Sequence, residues 1–197
     1  MSLELVNTLA TFGTFVVIAA TAIAAVVQLR HARSSNHIAA LNELRETQES
    51  AHFREASDFV NATLPAKLQD PAFRYQLLVP RARTDDVQPL LAKLTTIGNY
   101  YEGMGVLVRT GMVDLTLVME MFCDLIDGAW NRIAPATAIY RRRSRGVYEN
   151  FEYLAIMAED WAAAHPDGTY PPGIRRKEVV DEWLDADKQY VASLAPA

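Results

Sequence analysis

The chain has 197 residues, 50% of them hydrophobic and 22% charged, and a formal net charge of −5. These proportions suit a folded chain rather than a disordered one, and the acidic balance argues against general nucleic-acid binding, which calls for a basic domain. A single cysteine, Cys123, excludes an internal disulfide and a cysteine-rich metal site.

The first element is an apolar run. No charged residue lies between Glu4 and Arg30, a stretch of about 25 residues that spans roughly 37 Å as a helix. That is enough to cross a hydrocarbon core of about 30 Å with some tilt. A cleaved signal fits less well. No Lys or Arg precedes the run, it is longer than a signal core, and no polar segment separates it from Ala22-Ile23-Ala24, which imitates a cleavage site. A buried core helix fits poorly too, because twenty residues without charge are rare in a soluble domain. The run therefore reads as a permanent anchor. Its N-terminal flank holds Glu4 and no cation, whereas Arg30 and Arg33 follow it. Positive charge stays in the cytoplasm, so the N-terminus is expected outside and the bulk of the chain inside. Ala20 and Ala24 offer a small-residue face that permits close helix contact, a weak signal.

Everything after the anchor reads helical. Apolar residues at Ile38, Leu41, Leu44, Phe53, Ala56, Phe59 and Val60 mark a segment that continues the anchor or bends at Ser34-Ser35-Asn36. Pro65 and Pro71 punctuate, with a short helix from Pro71 to Leu78 and a loop from Pro80 to Thr84. Asp85-Asp86 opens the next helix, with Pro89 in its first turn. Leu90, Leu94, Ile97, Tyr101, Met104 and Val108 recur at helical steps until Gly111 ends it. A helix from about Asp114 follows, with Val118, Met121, Leu125, Ala129 and Ile133 inward, broken or kinked at Pro135 and continued to Arg141-Arg142-Arg143. The next runs from about Val147 to Ala164, with Phe151, Ala155, Ala158 and Ala162 on one line. His165-Pro166-Asp167-Gly168 closes it. A last helix is expected from about Arg176 to Leu194.

Several positions could carry chemistry. In NYYEGMGVLVRTG, Gly98, Gly105 and Glu102 share a flank of the helix beside Tyr100. The glycines let a second helix approach, and Glu102 would sit at that crossing needing a partner such as Arg or Tyr. The pattern is no dinucleotide fingerprint, because no strand precedes it and the third glycine is missing. Glu152 and Glu159, seven apart on one flank, read as a polar seam; an acid/base pair would need a cleft. Tyr100, Glu102, Glu152 and Glu159 around an inter-helix pocket form the enzyme or ligand-binding alternative. Glu49 and His52 have metal-ligand spacing, but one copy inside a polar stretch reads as a solvated face. Cys123 lies in VMEMFCDLI and reads as a small buried hydrophobe. The cluster Arg141, Arg142, Arg143 and Arg145 complements a helix C-terminus; with Arg30 and Arg33 it could instead touch anionic head groups.

The anchor ending QLRHAR, then LPAKLQDPAFR, NYYEGMGVLVRTGMVD, WNRIAP and YENFEYLAIMAEDW with HPDGTYP resemble a bacterial domain-of-unknown-function family, number 4760. The resemblance reaches to about Tyr170. It implies a membrane-anchored bacterial protein with a helical cytoplasmic part, and supplies no reaction and no catalytic residue.

The expectation is an all-α protein: a single N-terminal transmembrane helix (residues 1–34, with a short external tail) and an antiparallel helical bundle (residues 35–197) in the cytoplasm. It would sit in the bacterial inner membrane as a protein-interaction module, a scaffold or accessory subunit of a membrane complex. The expected partners are the bilayer and a protein partner or second copy, with no nucleic acid, no metal and no cofactor.

Overall fold

The computed structural model describes residues 3–194, all of them helix, turn or loop with no strand. Two compact units emerge, one to Pro166 and one from Asp167.

In the first unit, α1 is a single helix of 47 residues, Leu3–Glu49, about 70 Å long. It passes through Ser34-Ser35-Asn36 without a break. The bend comes instead at Ser50, whose extended backbone and hydroxyl cap α2 (Ala51–Asp58), accepting from the Phe53 N–H at 3.1 Å. The window Phe12–Leu29 has a mean hydropathy of 2.2 and none of it is buried. It is long and apolar enough to cross a membrane. Among the described side chains of α1, Leu41 and Leu44 at its far end join the core.

After α2 the helix widens into a π segment, Phe59–Thr63, before α3 (Leu64–Lys67). Pro65 explains the widening. It has no N–H for the Asn61 carbonyl, and the Leu64 N–H reaches back five residues to Phe59 instead. Asp70 caps α4 (Pro71–Leu78), and Pro80–Ala82 form one 3₁₀ turn.

Helix α5 spans Gln88–Arg109 and buries Leu91, Leu94, Ile97, Tyr101, Met104 and Val108. It begins two residues later than Asp86, whose carboxyl is held below its usual range chiefly by a hydrogen bond with Thr84. Gly111, at φ 71°, turns the chain out of α5. Asp114 then caps α6 (Leu115–Arg141), accepting from the Leu117 N–H at 3.1 Å. Helix α6 runs through Pro135, which is exposed, so water can satisfy the carbonyl it orphans. The inward face differs from the expected line: Met121 and Leu125 are exposed, and Met119, Phe122 and Ile126 are buried with Val118 and Ile133. Glu120, Asp124, Asp127 and Asn131 form a polar stripe along α6, and the buried side lies opposite it, turned from the expected line toward Met119, Phe122 and Ile126. Helix α7, Glu149–Ala164, buries Phe151, Leu154, Ala155 and Ala158, while Ala162 stays exposed.

The contacts give the helix directions. The Tyr100 hydroxyl donates to the Leu44 carbonyl at 3.0 Å, and His52 bonds Thr96 at 3.2 Å. Lys93 pairs with Glu55 at 2.6 Å. Helices α1 and α2 therefore run opposite to α5, and the end of α5 lies beside His37 and Ala40. Helix α6 leaves from that end. Helix α7 returns along it, with Cys123 opposite Ala158 and Trp130 against Phe151.

The second unit holds α8, Leu184–Ser193, shorter than the expected helix from Arg176. Val179, Val180, Trp183 and Tyr190 are exposed. With no core to seat them, residues before Leu184 gain nothing from helical order.

Candidate functional site

The most heavily built polar feature is the crossing of α5 and α7. Helix α7 has no capping side chain of its own. Its N-cap is Tyr148, a non-glycine residue at φ 56°, a conformation that costs about 1–2 kcal/mol. Glu102, four turns into α5, supplies the cap across the crossing. Its Oε2 accepts from the backbone N–H of Asn150 at 3.0 Å and of Phe151 at 2.9 Å. Its Oε1 accepts from the Asn150 side-chain amide at 2.7 Å. These backbone donors are the second and third N–H groups of α7, the pair that an N-cap side chain normally serves. The carboxylate also faces the positive end of the helix dipole.

Two glycines permit this approach. A Cβ at Gly98 would lie 2.7 Å from Tyr148 Cε1 and closer still to its Cζ and hydroxyl. A Cβ at Gly105 would lie 2.6 Å from the Asn150 carbonyl carbon. A side chain at Gly105 would thus meet backbone, and one at Gly98 the far end of the Tyr148 ring.

Around it runs an aromatic row. Phe53 meets Tyr100 at 4.6 Å, Tyr100 meets Tyr101 at 4.9 Å, Tyr101 stacks on Phe151 at 4.7 Å, and Phe151 meets Trp130 at 5.1 Å. Burial raises the phenol pKa of Tyr100 and Tyr101 and pushes that of Tyr148 up to about 12. Arg141 closes the row from α6. Its guanidinium lies 5.8 Å from the Trp130 centroid, donates to the carbonyls of Val147 at 2.9 Å and Tyr148 at 3.3 Å, and pairs with Glu152 at 2.8 Å.

The structure joins Gly98, Glu102 and Gly105 at one crossing and sets Glu152 beside it. Tyr100 faces the other way, lining a cleft of about 490 Å³ between α1 and α5 with Leu44, Met104 and Leu107. Glu159 is exposed. The four residues of the pocket alternative therefore do not converge on one cavity. Both Glu102 oxygens are occupied by donors, which suits a fixed strut better than a proton-transferring group. The partner of Glu102 is neither Arg nor Tyr but backbone and Asn150. One sequence signal pointed there: a helix opening on Tyr148-Glu149-Asn150 lacks a capping Ser, Thr or Asp, so its cap must come from elsewhere.

The arginines divide. Arg141 is built into the crossing, and Arg143 donates to the Leu78 carbonyl at 3.3 Å. Arg142 and Arg145 are exposed. All four stand at the end of α6 opposite to His37, about 40 Å along this 27-residue helix. The side chains of Arg30 and Arg33 lie outside the described residues. Among the described residues no three His, Cys, Asp or Glu side chains are grouped to hold a metal. The Cys123 thiol donates to the Ala158 carbonyl at 3.3 Å. Burial, with Asp124 and Asp127, raises its pKa, the opposite of an activated nucleophile.

No curated protein and no solved structure matches the chain. One family model does, over residues 15–161. That span takes in the apolar half of α1, the Glu102 crossing and nearly all of α7, so the chain belongs to the family described as Domain of unknown function (DUF4760).

Proposed function

We propose that this is a membrane-tethered helical interaction module, a scaffold or accessory subunit of a membrane complex with no catalysis of its own. Residues 1–34 anchor it in a bacterial inner membrane with the N-terminus outside, and residues 35–197 lie in the cytoplasm. One observation carries the reading. Helix α1 is continuous from an uncovered apolar window, Phe12–Leu29, to Leu41 and Leu44 in the bundle core. A hinge-free connection of this kind holds the bundle at a fixed distance and orientation below the bilayer. The polar groups at the α5–α7 crossing are consumed in holding the bundle together, which supports a module rather than an enzyme.

The apolar cleft beside Tyr100 favours a second reading, binding of a small apolar ligand between α1 and α5. The lipid-surface reading of Arg141 to Arg145 finds less support. Under this anchoring they stand several Debye lengths from the bilayer that α1 spans.

Extraction of the tagged chain from its native membranes in mild detergent, with mass and composition of the product, tests the proposal. A stoichiometric second protein, or a defined multiple of this chain, is expected. A strictly monomeric, partnerless species contradicts it.

A further inference from the structure

Two arginine-bearing loops that are distant in sequence meet at the end of the bundle away from α1's apolar window. One is the 3₁₀ turn Pro80–Ala82 with Arg83; the other is Arg142 to Arg145. Arg83 donates to the Gln76 carbonyl at 3.3 Å and Arg143 to the Leu78 carbonyl at 3.3 Å, both on α4. The Tyr140 phenol, whose pKa burial raises, feels the charge of both Arg83 and Arg143. Arg81, Arg142 and Arg145 are exposed beside them. Among the described residues none of these five cations has a carboxylate partner within ion-pair distance. The nearby acids do not cancel them: Asp86 is bonded to Thr84 and feels Lys67, and Asp85 and Glu149 are exposed at the rim.

We propose that this end of the bundle docks an acidic segment of a partner protein; the inference rests on the module reading above and names its surface. Three points carry it. The cations are all arginine, in two stretches, residues 68–92 and 94–176, that hold no lysine. Arginine's planar fork recognises carboxylates two-pronged and is the cation enriched at protein interfaces, where lysine is depleted. The site is spread over two loops, which fits an extended segment better than one compact anion. It also faces away from the bilayer.

The test uses the full chain in nanodiscs of zwitterionic lipid and a fluorescent hexaglutamate peptide, read by anisotropy at low salt. The wild type is expected to bind, with salt weakening it. The Arg81→Gln/Arg142→Gln/Arg145→Gln variant should bind at least about tenfold more weakly. A control variant in two exposed cations elsewhere, Arg54→Gln/Arg109→Gln, should bind as the wild type does. All three side chains of the test variant are exposed, so its thermal unfolding should match the wild type and exclude misfolding. Equal loss in the control, or undiminished binding by the triple variant, overturns the proposal. So does tripolyphosphate displacing the peptide far below the peptide's own concentration, which would make this a phosphate site. Recruitment of phosphatidylglycerol vesicles in preference to the peptide would make it a lipid site and overturns it too. Failure of the chain to enter nanodiscs speaks against the tether; entry without peptide binding speaks against this inference alone.

Discussion

Replacing Glu102 with alanine removes the side-chain cap of α7. Two backbone N–H groups and the amide of Asn150, a residue only 8% exposed, lose their acceptor together. Loss of an N-cap side chain costs about 1 kcal/mol, and a hydrogen bond to a charged group contributes about 1.5–3 kcal/mol. Glu102 is itself partly exposed, so water can replace some of what is lost. Glu102→Ala should then lower unfolding stability by about 2–3 kcal/mol. Glu102→Gln keeps one acceptor oxygen but sets its amide donor against other donors, and should cost about 1–2 kcal/mol. The assay is urea unfolding of the full chain in detergent, followed by tryptophan fluorescence, to which Trp130, packed on Phe151 beside the cap, and Trp161 on α7 contribute. The midpoint should fall with little change in slope. An alanine variant within about 0.5 kcal/mol of the wild type would refute the claim that this carboxylate holds α7.

Gly105→Ala drives a Cβ into the rigid backbone of Asn150, whereas Gly98→Ala meets the far end of the Tyr148 ring, which can shift. The same assay should show a loss of about 3 kcal/mol for the first and about 1 kcal/mol for the second. Arg141→Lys keeps the charge opposite Glu152 but cannot reach the Val147 and Tyr148 carbonyls in one fork, and should cost about 1 kcal/mol by chemical unfolding. Stability should be flat from neutral pH up to about pH 10, the phenol's unfolded value. It should then fall as pH rises through the folded value of Tyr148, about 12, because a raised folded pKa gives stability that is present below the unfolded value and lost above the folded one. Thermal unfolding against pH checks this, and Tyr101→Phe should make the alkaline fall shallower.

Much of this arrangement is legible in the order of the residues alone. The α5 face from Leu94 to Val108 follows from spacing, because its opposite side is polar enough to define a stripe. Helix α6 is only partly legible: the stripe Glu120, Asp124, Asp127 and Asn131 marks its outer face, but the apolar side is wide enough to centre on Met121 and Leu125 or on Phe122 and Ile126, and packing against α7 decides. The glycines at 98 and 105 announce a close approach, but not what approaches. Besides the Asn150 amide, the Glu102 partners are backbone N–H groups, which the sequence signals only through the missing cap residue of α7. Likewise the meeting of Arg83 with Arg143 depends on α4 lying along the end of α6, a long-range contact without a local pattern.

The central claim, that α1 crosses the membrane and holds the bundle inside, is tested most directly by thiol labelling of intact cells. On a Cys123→Ser background, single cysteines replace Ser2 or Ala163, and a membrane-impermeant maleimide is applied before and after lysis. The position at Ser2 should label in intact cells, and that at Ala163 only after lysis. Labelling of both positions in intact cells, or of neither until lysis, would contradict the proposed topology.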